Sequence, residues 1–243
     1  MLKYILTIAA LLSLAVSPAF AGFDEGKKAY DKKDWATAIK ELRPLAETGD
    51  DRAMVILGNM YNDGLGIIPS HKEAMSLYKR AATEKNNTQA MDAVGAMYVS
   101  AVGVDQNLET ALAWFHRSAM LGDQAGAFFY ATILYEGNKT PPNKLAPDLY
   151  HAYIWFKIAA AEKQNAKLQA VCARFAQGLA TKMLLGGQVI EGDKEVAAWK
   201  PVDIKTLGPV PPDPPPAPAP AMNSVPKPKA QDKPLPHSEP LQK

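Results

Sequence analysis

Small and apolar residues recur along the middle of the chain with the period of a helix, and the whole arrangement then recurs at a longer period. Ala53, Leu57, Gly58 and Tyr61 fall on one face of a single helix. After Gly64 and Gly66, Ala74, Tyr78 and Ala82 mark the face of a second helix. The same pattern returns 37 residues later as Ala90, Val94, Gly95 and Tyr98, then Gly103, Ala111, Phe115 and Ala119. A third copy begins at Ala127, with Tyr135 and then Ala152, Phe156, Ala159 and Ala160; its middle loop, GNKTPPNKLAPD, is four residues longer. Upstream, Tyr30, Ala38, Leu42, Leu45 and Ala46 form a divergent copy with a tighter turn.

Each copy predicts two antiparallel helices. Small residues let the backbones approach, and the aromatic of the second helix fills the gap to the next pair. Gly64 and Gly66 supply left-handed backbone after the first helix, where a side chain clashes. Asp105 stands where it is expected to cap the second helix of its copy. One pair cannot bury its apolar face alone, whereas several stacked pairs share a continuous core. From Asn165 to Trp199 the spacing weakens into a long amphipathic helix and a shorter one, expected to cap the array with a more polar outer face.

Both ends have a different composition. Lys3, the apolar run Tyr4 to Val16 and the small-x-small motif Ala19-Phe20-Ala21 predict a signal peptide over 1–21, cut after Ala21. The run is too short to span a bilayer, which needs about 20 apolar residues. An uncleaved anchor or a buried first helix is the competing reading. A cleaved signal implies a periplasmic or secreted protein with no stable membrane anchor. At the other end, 13 of the 20 prolines lie between Pro209 and Pro240. The segment 201–243 is therefore expected to be disordered, with polyproline II character and a reach of about 130 Å at about 3.1 Å per residue. As a function for it, a passive spacer, a docking segment for a partner groove and a contact with cell-wall polymer all stand.

The net charge of +2 is spread along the chain with no basic stripe, which argues against nucleic acid as a partner. Cys172 is the single cysteine, so no internal disulfide is available and packing must carry the fold. Together with Leu168, Phe175 and Leu179 it lies on one apolar helix face, as a core residue does; a reactive thiol or an intermolecular bridge is the alternative. None of His71, His116, His151 and His237 stands at metal-binding spacing from another histidine or the cysteine. There is no nucleophile elbow or Walker-type loop, and the NDGLG run recurs as a turn between helices. Carboxylates such as Asp50, Asp51 and Glu73 fall at helix starts, where they stabilise the positive end. These observations predict no catalytic, cofactor or metal site.

The segments LGNMYNDGLG, VGAMYVSAVG, ALAWFHRSA and AYIWFKIAAA resemble the Sel-1-like branch of the tetratricopeptide repeats, over roughly Ala29 to Trp199. Ala101, where that family usually has glycine, and the loop around Pro141 and Pro142 depart from its pattern. The resemblance implies an all-α fold, an α-α superhelix (solenoid) of tetratricopeptide-like helix pairs over 22–200. Its repeats fall at about 22–52, 53–89, 90–126 and 127–164, with capping helices over 165–200. Cysteine-rich relatives linked to β-lactam chemistry carry paired cysteines in each repeat, and this chain does not. Family members act mostly as adaptors through a concave groove of first helices. Carried onto this chain, that groove takes Val55, Asn59 and Asn62 from one copy, Asp92 and Val99 from the next, and Phe129, Ile133 and Glu136 from the third. The expected function is a non-enzymatic periplasmic scaffold that binds a protein or peptide. A cell-envelope module contacting peptidoglycan or another glycan is the alternative, weakened by Phe129 being the sole aromatic in the groove.

Overall fold

In the computed structural model, residues 19–138, 144–182 and 184–212 are described. The expected signal peptide falls outside them except for its last three residues. The proline-rich segment beyond Pro212 and the loop around Pro141 and Pro142 also lie outside. Within the described residues the chain is helical, in ten helices. They are α1 (Ala19–Asp31), α2 (Trp35–Glu47), α3 (Asp51–Asp63), α4 (His71–Glu84), α5 (Thr88–Ser100), α6 (Leu108–Met120), α7 (Gln124–Glu136), α8 (Leu149–Ala161), α9 (Ala166–Lys182) and α10 (Gly186–Ala198). A short 3-10 turn follows at Ile204–Thr206.

The helices start where a short polar side chain can satisfy the free N–H groups of the first turn. Asp50 accepts from the amides of Arg52 and Ala53, Asn87 from Ala90, and Asp123 from Ala125 and Gly126. Ser70 and Asp148 do the same for α4 and α8. The cap of α6 is Asn107, whose side chain accepts from the Thr110 amide at 2.8 Å. Asp105, expected to fill that role, stays exposed in the loop, which runs two residues further before the helix begins.

Pairing follows chain order: α1 with α2, α3 with α4, α5 with α6, α7 with α8. What sets the spacing within a pair is an aromatic ring laid over a glycine. A methyl group built on Gly58 would stand 2.6 Å from Cε1 of Tyr78, and one on Gly95 2.8 Å from Cε1 of Phe115. Successive first helices also touch, α5 with α7 and α7 with α9, which puts them on the inner side of the stack. The terminal helices depart from the expected cap. Here α9 packs on α8, but α10 also returns to α8 instead of pairing with α9: Gly192 sits under the Tyr153 ring, and Asp193 accepts from the Tyr153 hydroxyl at 2.6 Å and the Lys157 ammonium at 2.7 Å.

Two changes test this packing. Gly58→Ala removes a helix-weakening glycine, which on its own stabilises by about 1 kcal/mol. Against the Tyr78 ring it is expected instead to destabilise by about 1–3 kcal/mol, read as a lower midpoint in urea. Ala101 ends α5 with φ +56°, the left-handed backbone that Gly64 (φ +69°) supplies one repeat earlier. Ala101→Gly should relieve that strain and raise stability by about 1 kcal/mol in the same assay.

Candidate functional site

Helix α5 is packed from both sides, so its buried arc is wide: Ala90, Met91, Asp92, Val94, Gly95, Met97 and Tyr98 are all buried. What remains on the inner side is the stripe Gln89, Ala93, Ala96 and Ser100, spaced as one helix face. Ala93, Ala96 and Ser100 are short, and with Asn62, Tyr78, Met97 and Val102 they line a cleft of about 230 Å³ where α3, α4 and α5 meet. Tyr78 donates to Asn59 Oδ1 at 2.6 Å, which fixes the ring and the amide together. Burial, with Asp63 nearby, pushes the Tyr78 hydroxyl well above its ordinary value, so it remains a donor. Asn62 donates to Asp63 at 2.7 Å and faces the His71 ring at 3.2 Å. The arrangement offers amides, hydroxyls and shallow apolar floor, the elements that hold another chain by side-chain and backbone contacts.

The residues expected to line the groove divide. Asn62 borders the cleft and Asn59 stands beside it on the Tyr78 hydroxyl. On α7, Ile133 is half-buried and packed toward the first core cluster, Phe129 is 38% exposed with its ring 5.1 Å from Phe115, and Glu136 is exposed at the helix end. Val99 is half-buried, and its carbonyl accepts from Gln106 at 2.9 Å. Val55 and Asp92 are buried at 8% and 9% exposure and present nothing to a partner. Asn59, one period before Ala96, keeps the register of the exposed stripe, whereas Asp92 and Val99 stand one residue before Ala93 and Ser100, about 100° around the helix. Ala93, Ala96 and Ser100 went unnoticed because small residues in such arrays read as packing; their own i, i+3, i+7 spacing was the available signal.

Asp92 has a different importance. Its Oδ1 is buried without a hydrogen-bond partner, and the carboxyl lies against Asp123 and Ser118 at the junction of α5, α6 and α7. Asp123 is itself fixed there, as the α7 cap and as acceptor from the Thr88 hydroxyl at 2.8 Å. Burial and the neighbouring Asp123 push Asp92 up to about 8. At the next junction the buried Gln124 side chain donates to the Ala159 and Glu162 carbonyls at 2.8 and 3.0 Å and accepts from the Asn165 amide at 2.7 Å. These contacts tie α7, α8 and the start of α9. Cys172 is fully buried, and burial pushes its thiol up to about 11, away from thiolate chemistry.

The Sel1 repeat family model matches residues 51–86, 88–123 and 124–163, and these spans open on the first residues of α3, α5 and α7. The chain carries Sel1 repeats. Its fold is that of two solved Sel1-type structures. One is a Sel1 repeat protein from Oxalobacter formigenes, with TM-score 0.53 and 22% identity, covering 78% of this chain and 75% of that one. The other is c5321, a protective antigen present in uropathogenic Escherichia coli strains, with TM-score 0.56 and 21% identity over 78% of this chain. This chain spans 39% of that antigen's length. No curated protein sequence matches it. Sel1 repeats are in general a non-catalytic scaffold for protein–protein interaction.

The buried carboxyl of this Sel1 array predicts a pH dependence. A folded-state value raised from 3.8 to about 8 means the folded protein holds a proton the unfolded chain has released. Stability from this group is full below pH 4 and falls as pH rises toward 8, with a slope of at most about 1.4 kcal/mol per pH unit. Asp92→Asn should abolish that fall, so its advantage in melting temperature over wild type grows between pH 5 and 8. Parallel curves for the two proteins would contradict the assignment.

Proposed function

We propose that this Sel1 array is an exported, non-enzymatic adaptor of the periplasm that holds an extended segment of a protein partner along the inner face of its first helices. The cleft between α3 and α5 carries the reading: Asn62 supplies a polar group at its edge, the hydrogen bond of the buried Tyr78 to Asn59 fixes its floor, and the short side chains Ala93, Ala96 and Ser100 leave room for a second backbone. A further support is where the chain's C-terminal part goes. Helix α10 and the segment after it lie against second helices and the loops that follow them, so they leave the inner side uncovered. Export rests on the sequence of residues 1–21. The glycan alternative gains nothing, because the cleft presents one aromatic, Tyr78, buried edge-on against Gly58.

Two measurements test this. Ala96 is exposed on a helix, so Ala96→Arg fills the cleft mouth without touching the core. In-envelope crosslinking with mass spectrometry is expected to lose the partner from this variant by tenfold or more at unchanged helicity. Full retention of every crosslinked protein rejects the inner face. Cell fractionation with mass measurement of the mature chain should find it in the periplasm, starting at Gly22; a cytoplasmic chain that keeps residues 1–21 rejects export.

A further inference from the structure

After α10 the chain turns back along the array instead of leaving it. The Trp199 ring meets Trp155 of α8 edge-on at 6.1 Å. Pro201 stands against Gly122, and the Val202 amide donates to the Met120 carbonyl at 2.8 Å. Arg117 of α6 donates through Nη1 to the Gly208 carbonyl at 2.7 Å, and Val210 packs on the edge of the first core cluster. Trp199 (φ −66°, ψ 141°), Asp203 (φ −66°, ψ 133°) and Leu207 (φ −69°, ψ 133°) hold polyproline II backbone. Residues 199–212 thus form a strap, extended on either side of the Ile204–Thr206 turn and seated on the second-helix side, held as a bound peptide is held.

The seat is better suited to another ligand than to this one. Arg117 is half-buried beneath the strap and incompletely paired: its Nη2 reaches the Asn86 amide oxygen at 3.3 Å, and its Nε is buried with no partner. Burial alone lowers its pKa, with no carboxylate acting on it. A guanidinium with its Nε out of water and only neutral oxygens to bond forgoes the stronger, shorter bonds a carboxylate makes. Room for one exists, since a Cβ built on Gly208 meets nothing within 4 Å.

We propose that the strap is a cis-bound placeholder on a second peptide site, and that the site's preferred ligand is an extended, proline-containing segment of a partner protein bearing an acidic side chain opposite Arg117. The partner segment would enter as the strap leaves, exchanging the Gly208 carbonyl for a carboxylate on the same guanidinium. This site lies apart from the inner cleft and stands or falls independently of it.

The strap itself supplies the probe. In the full-length chain, Val202→Pro removes the amide that bonds Met120 and loosens the strap. Labelled peptides with the sequence of residues 199–212 are then titrated onto that chain, in the native form, with Gly208→Asp, and with Gly208→Asn as the neutral match. The Asp peptide is expected to bind at least tenfold tighter than either other, and Arg117→Gln in the loosened chain should erase the difference. A second reading needs no loosening: Gly208→Asp in the otherwise wild-type chain should slow hydrogen exchange of the Val202 amide several-fold, where Gly208→Asn does not. Equal binding of the Asp and Asn peptides, no binding of any, or a preference that survives Arg117→Gln overturns the proposal.

Discussion

The ring of Tyr78 over Gly58, repeated as Phe115 over Gly95, is the contact on which the stack depends. Glycine at that point lets two helices approach until the aromatic fills the gap between them, and the distance so set decides where the other faces point. It buries the opposite side of α3 and α5 against the neighbouring pairs and leaves one narrow stripe of each open. The inner cleft is the remainder of that packing. In the third copy Thr132 takes the glycine's place, its hydroxyl donating to the Phe128 carbonyl at 2.8 Å. The ring of Phe156 there stacks on Phe175 at 4.9 Å and meets Phe128 and Tyr135 at 6.2 and 6.4 Å.

Between pairs the joints are polar and differ from one another. Counting from the pair α3/α4, Asn87 donates to Asp51 at 2.6 Å across the first joint, to α5/α6; Thr88 and the carboxyls of Asp92 and Asp123 occupy the second, to α7/α8; and Gln124 bridges the third, to α9. A one-dimensional array is as cooperative as its weakest interface. The second joint is the one that answers to proton concentration, while the third, with its buried amide satisfied on both sides, is indifferent to it.

The period of 37 residues, the two-helix unit and the polar caps were legible in the sequence because they depend on neighbours along the chain. The Ala101 turn was legible too, as a departure at a position whose backbone demands glycine. Single-helix periodicity says which residues share a face, not which neighbour covers it, and for that reason Asp92 and Val55, expected on the open side, are buried. The return of α10 to α8 and the seating of residues 199–212 carry no periodic signature at all. They rest on partners such as Gly122 and Arg117 that lie some 80 to 90 positions away in the chain. Composition marked everything after Pro201 as tail, yet the first dozen residues belong to the body.

That return moves the exit of the chain. Whatever follows Pro212 is launched from beside α6, near the midpoint of the array, and not from its far tip at α9. A partner that contacts the chain beside Pro212 would therefore stand at the waist of the molecule, and lengthening the array beyond α9 would leave that place unchanged.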